Sequence, residues 1–228
     1  MNPAAEILVR CTDVSRTFGT GPAAVVAVHG STCEVRGGAR IAVTGSSGSG
    51  KSTLLHLMAG LEVPTSGRVC WPNLPEDIYL RAAQIGVIFQ SPSLVPALNA
   101  QENVALPMLL AGVNTDDAAG TARLEEALAA VGLADLAAQL PEELSGGQAQ
   151  RIAVARVLAQ QPTLILADEP TGQLDHATGQ HVVDVLLDAA SRLGAALVIS
   201  THDPSVAQRM NTYWAMHHGR QITAEQLS

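Results

Sequence analysis

Lysine is almost missing from this sequence: of the 13 basic residues, all are Arg except Lys51. Aromatic residues are also scarce, at 3% of 228 residues, whereas hydrophobic residues reach 47%. A chain of this length can bury a substantial core, and Ala, Val and Leu must fill it here. A general preference for Arg explains why Lys is rare but not why one Lys is kept. Position 51 therefore requires the compact ammonium group of Lys, which the planar guanidinium of Arg cannot replace.

The sequence also lacks a basic cluster, a metal-binding cysteine pattern and a long apolar run. The net charge is −8, which argues against nucleic acid as the main partner because phosphate binding needs clustered cations. Cys11, Cys33 and Cys70 are odd in number and have no metal-ligand spacing, as is typical of reduced thiols. The apolar stretch 104–113 contains a Pro and a Gly and is far shorter than the roughly 20 residues of a membrane span. We therefore expect any work at a membrane to depend on another chain.

Alternating β-rich and helical segments predict an α/β fold. Strands are predicted at residues 7–11, 25–28, 31–35, 40–44, 85–89, 163–168 and 195–200, with a closing hairpin at 213–217 and 220–223. Helices are predicted at residues 51–60, 116–131, 146–160 and 177–193. Helical periodicity over residues 100–160 separates two strand–helix–strand regions. This order indicates an α/β core with a helical insertion.

A Gly/Ser-rich loop between a predicted strand and a predicted helix fits the phosphate-binding pattern G-x-x-x-x-G-K-[ST]. Its residues are Gly45, Ser46, Ser47, Gly48, Ser49, Gly50, Lys51 and Ser52. Glycines let backbone N–H groups surround phosphates, and a helix N-terminus adds a favourable dipole. We expect Lys51 to reach the β- and γ-phosphates and the Ser52 hydroxyl to bind Mg²⁺. A plain Gly/Ser turn is the weaker alternative, because chance gives such a match in about one chain in a hundred of this length.

An apolar strand that ends in two acids follows the helical segments. Residues 163–167 lead directly to Asp168 and Glu169, and α/β sheets bind ligands at the carboxyl ends of their strands. Asp168 would hold Mg²⁺, directly or through water, and Glu169 would act as general base on the attacking water. A solvated acidic turn would be the commoner explanation of these acids alone, but not after a phosphate-binding loop.

The segment Leu144-Ser145-Gly146-Gly147-Gln148 stands just before a predicted helix. Ser145 would cap that helix, and the amides of Gly146 and Gly147 would complete an anion site. An ordinary capped helix explains the Ser but not two glycines, which lower helix stability. Chance gives this pentapeptide in on the order of one in several thousand chains of this length.

Along the chain, the phosphate-binding loop comes first, then the segment 144–148, then the strand that ends in two acids. The three motifs in that order resemble the nucleotide-binding domain of ABC transporters over essentially the whole chain. The resemblance implies one ABC ATPase domain at 1–228. It would have a RecA-like P-loop NTPase core with an antiparallel β subdomain (1–90 and 161–228) and an inserted α-helical subdomain (91–160). The resemblance also implies that two domains pair head to tail. Each ATP would then lie between one phosphate-binding loop and the signature segment, residues 144–148, of the other domain.

Further roles follow from the resemblance by position. Gln90 resembles the Q-loop glutamine that senses Mg²⁺ and water, Asp175 the D-loop aspartate, and His202 the switch histidine on the γ-phosphate. Phe18 resembles the aromatic residue that stacks on adenine, although a lone aromatic is more often a packing residue. The implied nucleotide-binding set is Phe18 with Gly45 to Thr53, and the implied Mg²⁺ set is Ser52, Gln90 and Asp168. The other histidines are interpreted as structural or solvated.

Within the family, residues 101–107 and 167–172 resemble the lipoprotein-releasing, macrolide-exporting and cell-division ATPases. Two features depart from that group: Gln173 replaces its usual Asn, and segment 67–84 is short. The resemblance implies an ATP-hydrolysing motor in the cytoplasm, peripheral on the inner face of the membrane. Its partners would be a membrane permease, docked on residues 90–112, and a second ATPase subunit, expected to be an identical copy.

Two alternatives from other classes stay open. A soluble ABC ATPase acting on DNA or in translation would usually carry a coiled-coil insertion or two nucleotide-binding domains in one chain. Neither is present, and the chain is acidic. An ATP-gated regulatory clamp that barely hydrolyses ATP would not need the base Glu169, so a turnover measurement separates it from the motor.

Overall fold

The computed structural model describes residues 6–222 and shows an α/β protein, as predicted. Its strands are β1 Ile7–Phe18, β2 Val25–Arg36, β3 Arg40–Thr44, β4 Ser66–Cys70, β5 Ile85–Ile88, β6 Leu164–Asp168, β7 Ala196–Thr201, β8 Thr212–His217 and β9 Arg220–Ile222. Its helices are α1 Lys51–Ala59, α2 Ile78–Gln84, α3 Ala100–Leu110, α4 Ala118–Ala130, α5 Gly146–Gln160, α6 His176–Leu193 and α7 Pro204–Ala207. Thr223, the predicted end of the last strand, and the other terminal residues of the predicted domain lie outside the described part.

A six-stranded sheet in the order β5-β6-β7-β3-β8-β9 forms the centre of the protein. Its strands are parallel except for the β8–β9 hairpin. Thr44 pairs with Thr201 and Asp168 with Ser200, so β3, β6 and β7 end at one level. The loops after these strands therefore meet at one edge of the sheet, where α/β proteins bind ligands.

The two faces of the central sheet support separate apolar clusters, because side chains alternate along each strand. Leu166 and Val198 face a cluster that includes α1 and the small sheet. Ile165 and Ile199 face a second cluster shared with helices α3 to α6. Both faces are thus covered, which explains why β6 and β7 are buried along their whole length. The predicted subdomain boundaries, 90/91 and 160/161, stay a prediction.

A second, antiparallel sheet has the order β2-β1-β4, and its first two strands are longer than predicted. The predicted break at 29–30 is wrong, because β2 continues through Gly30. Instead, the pairing of β1 with β2 is irregular near Val14. Asp13 and Gly30 adopt φ of 48° and 56°, and the Gly30 N–H donates to Ser15 Oγ. A bulge of this kind bends the strands without ending the pairing.

Three short elements were not predicted: β4, α2 and α7. Strand β4 has no apolar alternation and exists through its pairing with β1. Helices α2 and α7 are short and begin at the capping carboxylates of Asp77 and Asp203. Helix α5 has the predicted bounds, and α1 ends one residue early because Gly60 forms its left-handed cap.

The three cysteines are free thiols, as expected. Cys11 and Cys33 are direct partners across β1 and β2. The pKa of Cys33 is raised far above its ordinary value, first by a hydrogen bond with the Cys11 thiol and second by burial of the side chain. Cys33 therefore stays protonated and behaves as a small core residue. Within residues 6–222, no helix has both the length and the apolar character needed to cross a membrane.

Candidate active site

A cavity of about 650 Å³ opens where β3 ends and α1 begins. It is lined by Ala27, by residues 47–53, and by Gln90, Glu169 and His202. Four separate parts of the predicted site thus meet around one space. This volume is in the usual range of small-molecule sites.

The phosphate-binding loop, residues 45–52, is packed so closely that two of its glycines cannot be replaced. A Cβ on Gly45 would lie 2.3 Å from the Met216 carbonyl oxygen, and one on Gly50 would lie 2.2 Å from that of Ala27. Gly50 also has a φ of 99°, which favours Gly. The Gly219 N–H supports the loop by donating to the Ser49 carbonyl. Strand β2, strand β8 and the turn between β8 and β9 therefore support the loop.

The first turn of α1 offers backbone donors to a ligand. Gly50 is its N-cap and supplies no side-chain hydrogen bond. By contrast, Asn99, Asp117, Ser145 and Asp175 each cap their own helices with a side-chain oxygen. Uncapped N–H groups at a helix start bind anions well, since the helix dipole adds to their attraction.

Lys51 is held at the floor of the cavity and is only 5% exposed. Its Nζ donates to the carbonyls of Gly45 at 2.9 Å and Ser46 at 3.1 Å. Nζ also lies 3.5 Å from Oε1 of Glu169. The ammonium group has three hydrogens, so these contacts direct it toward the loop and toward the predicted base.

Glu169 leaves β6 in an unusual conformation, with a φ of 45°. Its backbone N–H donates to both the carbonyl and the Oγ of Ser200, each at 3.1 Å. A left-handed Glu stores strain, which persists only where neighbouring contacts hold it. The turn aims the carboxylate into the cavity, where Oε2 lies 3.3 Å from Nδ1 of His202.

Ser200 is a contributor that sequence reasoning missed. It is fully buried, and its hydroxyl donates to Oδ1 of Asp168 while accepting the Glu169 N–H. One side chain therefore orients both acids at the end of β6. The sequence feature that could have revealed Ser200 is a polar residue in an apolar strand, two positions before His202.

The predicted Mg²⁺ ligands are a hydroxyl, an amide and a carboxylate, which suits a hard cation that prefers oxygen. Ser52 and Gln90 line the cavity, whereas Asp168, 4% exposed, lies behind Glu169. Within residues 6–222 there is no group of three His, Cys, Asp or Glu arranged to hold a metal ion. Mg²⁺ usually binds through one or two protein ligands and substrate phosphates.

The signature segment is folded as a helix start. Ser145 caps α5: its Oγ accepts the Gln148 N–H at 3.2 Å, and Gln148 Oε1 accepts the Ser145 N–H at 2.8 Å. The sequence predicts Ser145 as this cap, but it did not lead us to the second bond, in which the Ser145 N–H donates to the Gln148 side chain. Of the described residues, Leu144 to Gln148 are not among those lining the cavity of their own chain.

The signature glycines lie against the loop that ends at Asp175, the N-cap of α6. Asp175 caps that helix, and the hydroxyl and backbone N–H of Thr178 hold the pKa of its carboxyl below the ordinary value. A Cβ on Gly147 would lie 3.3 Å from the side chain of Leu174. Small residues in the signature thus allow close packing against the loop that ends at Asp175.

Phe18 lies beside the cavity rather than in its lining. It pairs with Val25, two residues before the cavity residue Ala27 on the same face of β2. The Arg16 guanidinium covers one side of the ring at 4.5 Å from its centroid, and Glu62 anchors Arg16 at 2.7 Å. Phe18 remains 38% exposed, which leaves ring surface available for stacking.

Residues 28–172 match the family described as ABC transporter. The chain belongs to this family. It is 42% identical over 223 residues to the lipoprotein-releasing system ATP-binding protein LolD of Legionella pneumophila (strain Paris), covering 94% of this chain and 96% of LolD. It is also 41% identical over 224 residues to an uncharacterized ABC transporter ATP-binding protein of Mycobacterium tuberculosis (strain ATCC 25618 / H37Rv), covering 95% and 90%.

Solved ABC cassettes share the fold of this chain. The dimeric ATP-binding cassette MJ0796, in a post-hydrolysis state bound to ADP and Pi, superposes with a TM-score of 0.87. It is 33% identical, with 97% of this chain and 99% of that chain covered. CbiO1 of Clostridium perfringens, part of an ABC transporter complex, has a TM-score of 0.78 at 28% identity, covering 96% and 88%. The predicted fold class is confirmed, and the chain is an ABC-type ATPase.

Proposed function

We propose that this ABC-type ATPase powers a membrane permease of the lipoprotein-releasing group through ATP-driven, head-to-tail pairing of two copies. The observation that carries the proposal is the convergence of Lys51, Glu169 and His202 in the cavity of the phosphate-binding loop. The similarity to LolD along nearly the whole chain supports the assignment to this group. Its working position would be the cytoplasmic face of the membrane, where the permease holds it.

Within one chain, the loop residues bind and orient the triphosphate of ATP. Lys51 and the uncapped N–H groups of α1 offset its negative charge. Glu169 takes the proton of the attacking water, while His202 holds the second carboxylate oxygen and fixes its direction. Mg²⁺, held by Ser52, Gln90 and Asp168, would neutralise charge that develops on the phosphates.

Catalysis would need a second copy because the signature segment lies away from the cavity of its own chain. In the pair, Ser145 and the amides of Gly146 and Gly147 would contact the γ-phosphate bound to the other copy. The hydroxyl of Ser145 can donate to that phosphate while its oxygen keeps the cap of α5. Two dimeric structures among the similar cassettes support this arrangement.

The permease would dock on the predicted segment 90–112. Val95, Leu109 and Leu110 are 37%, 54% and 81% exposed, whereas Met108 is 1% exposed and belongs to the core. A groove of about 530 Å³ is lined by Leu98, Leu106 and Leu109 together with polar residues such as Glu102 and Asp116. Exposed apolar side chains among polar residues are typical of an interaction site. We call Val95, Leu98, Leu106, Leu109 and Leu110 the docking surface.

Co-purification tests this docking surface. The chain would be co-expressed with a permease of the lipoprotein-releasing group from the same genome, and capture of the complex measured. Leu110→Glu should abolish capture, because it places a charge in an apolar interface. Val63→Glu is the matched control: Val63 is 75% exposed but lies outside the docking surface. Both variants should melt at the wild-type temperature. Undiminished capture of the Leu110→Glu protein would place the docking site elsewhere.

ATP turnover tests the motor itself. The purified chain should hydrolyse ATP, and addition of the permease in lipid should change the rate. A chain that binds ATP but shows no turnover with or without the permease would instead support the regulatory clamp.

A further inference from the structure

The loop after β5 is fastened to the signature helix by side chains. The carbonyl of Phe89 accepts a hydrogen bond from Gln150 Nε2 at 3.0 Å, and the carbonyl of Ser93 accepts one from Arg156 Nη1 at 2.8 Å. Both donors belong to α5, which begins at the signature segment. A third bond, from Gln173 Nε2 to the Gln90 carbonyl at 3.3 Å, comes from the loop before α6.

Gln150 differs from the other two donors because it is buried, with 1% exposure, and only one of the two polar atoms of its amide has a hydrogen-bond partner. Its Nε2 is used, but its Oε1 is buried without a hydrogen-bond partner. The direction of the amide is determined, since the Phe89 carbonyl requires a donor. An unpaired buried carbonyl oxygen destabilises a protein, and an apolar side chain of similar size would avoid that cost. A polar residue kept at such a position points to a functional use.

We propose that Gln150 is a positioning residue that ties Gln90 to the signature segment. It holds the carbonyl of Phe89, the residue directly before Gln90, so it sets where the Gln90 side chain enters the cavity. It also lies within the second turn of α5, whose first turn starts at the Ser145 cap. One hydrogen bond thus joins the residue that faces the nucleotide of its own chain to the segment that faces the nucleotide of the partner copy.

This connection has a mechanical consequence. Helix α5 is a regular rod of 15 residues, so its first turns move together. When the signature segment shifts on closing over the nucleotide of a partner copy, Gln150 would carry the peptide before Gln90 with it. Gln90 would then reach its working position only in the closed pair. The inference rests on the proposed role of Gln90 in catalysis.

Gln160 supplies a matched control in the same helix. Its Nε2 contacts the carbonyls of Ala82 and Ala83 at 3.0 Å and that of Ile85 at 3.3 Å. Gln150 and Gln160 lie on the same helix, and each donates from its own side-chain amide. Gln150 bonds to the residue after β5, whereas Gln160 bonds to residues at and before the start of β5. Only the Gln150 end lies next to the cavity.

The experiment compares Gln150→Met, Gln160→Met and Gln90→Ala in the full chain, by ATPase kinetics and thermal melting. In Gln150→Met we expect kcat to fall roughly tenfold or more, because small displacements of reacting groups slow catalysis strongly. The KM for ATP should stay within about twofold of the wild-type value. The melting temperature of this variant should stay close to that of the wild type, because removing the unpaired oxygen offsets the loss of the hydrogen bond to the Phe89 carbonyl. Gln160→Met should melt at a lower temperature and keep kcat.

Each other result overturns the inference. A Gln150→Met protein with wild-type kcat shows that the bond does not position Gln90. Equal losses of kcat in Gln150→Met and Gln160→Met show a general effect of loosening α5. If Gln90→Ala keeps wild-type kcat, the proposed role of Gln90 fails and the inference fails with it; if only Gln90→Ala loses activity, the inference alone fails. Gln150→Leu, which is smaller and cannot overpack, replaces the Met variant if that protein does not fold.

Discussion

The ammonium nitrogen of Lys51 lies 3.5 Å from Oε1 of Glu169. The only lysine of the chain is therefore paired with its proposed general base, in a place where the two side chains are 5% and 16% exposed. Phosphate oxygens that bind Lys51 compete with this ion pair. Substrate binding would thus release the carboxylate toward the water that it must deprotonate. Four predictions test this site.

Lys51→Arg should lower ATP turnover by at least roughly tenfold, although the charge is kept. The carbonyls of Gly45 and Ser46 surround a compact ammonium group, and a planar guanidinium cannot take its place. ATPase assays and equilibrium nucleotide binding measure the effect. Arg209→Lys, which alters an ion pair with Asp184 outside the cavity, is the control and should keep full activity. Wild-type turnover in Lys51→Arg would contradict the assigned role.

Glu169→Gln should bind ATP but hydrolyse it about a hundredfold more slowly or worse, since the amide cannot accept the proton. The protein should then accumulate as an ATP-bound dimer with Mg²⁺, whereas the unmodified chain should be mainly monomeric. Size-exclusion chromatography with light scattering measures the mass. Adding Ser145→Arg should block the partner's nucleotide and restore the monomer. A Glu169→Gln protein that binds ATP and stays monomeric at high concentration argues against the head-to-tail pair.

Ser200→Ala should lower both turnover and stability. The substitution removes the hydroxyl that donates to Asp168 and accepts the Glu169 N–H. Leaving a buried carboxylate oxygen unpaired costs about 1–3 kcal/mol, which urea denaturation can measure. Ser205→Ala is the control, because its hydroxyl bonds to the side chains of Gln180 and Asp203 and to neither Asp168 nor Glu169; it should keep turnover. If Ser200→Ala retains turnover, Ser200 has only a packing role.

Phe18→Ala should weaken binding of ATP by up to roughly tenfold, the usual worth of an aromatic stack. Binding of inorganic triphosphate should not change, because that ligand has no base to stack. Phe18→Tyr should bind ATP as the wild type does, since Arg16 can support either ring. Competition binding against a fluorescent nucleotide gives both affinities. An equal loss for both ligands would mean that Phe18 supports the loop rather than the base.

Local sequence was sufficient for features formed within a few residues. The spacing of Gly45, Gly50 and Lys51 predicts the phosphate-binding loop, since each glycine serves a backbone conformation or a close approach at its own position. Ser145, followed three residues later by Gln148, is a helix start that neighbouring atoms complete. The bounds of α5 were predictable for the same reason.

Contacts between distant parts of the chain depended on the tertiary structure. Glu169 meets Ser200 across 31 positions, and Gln150 meets Phe89 across 61. Neither Ser200 nor Gln150 belongs to a periodic or capping pattern that could reveal its partner. The length of β1 and β2 is a similar case, because pairing across the bulge at Asp13 maintains them beyond their local preference. Hydrogen bonds of this kind form only when the sheet brings its strand ends to one edge, and no local pattern of residues encodes that approach.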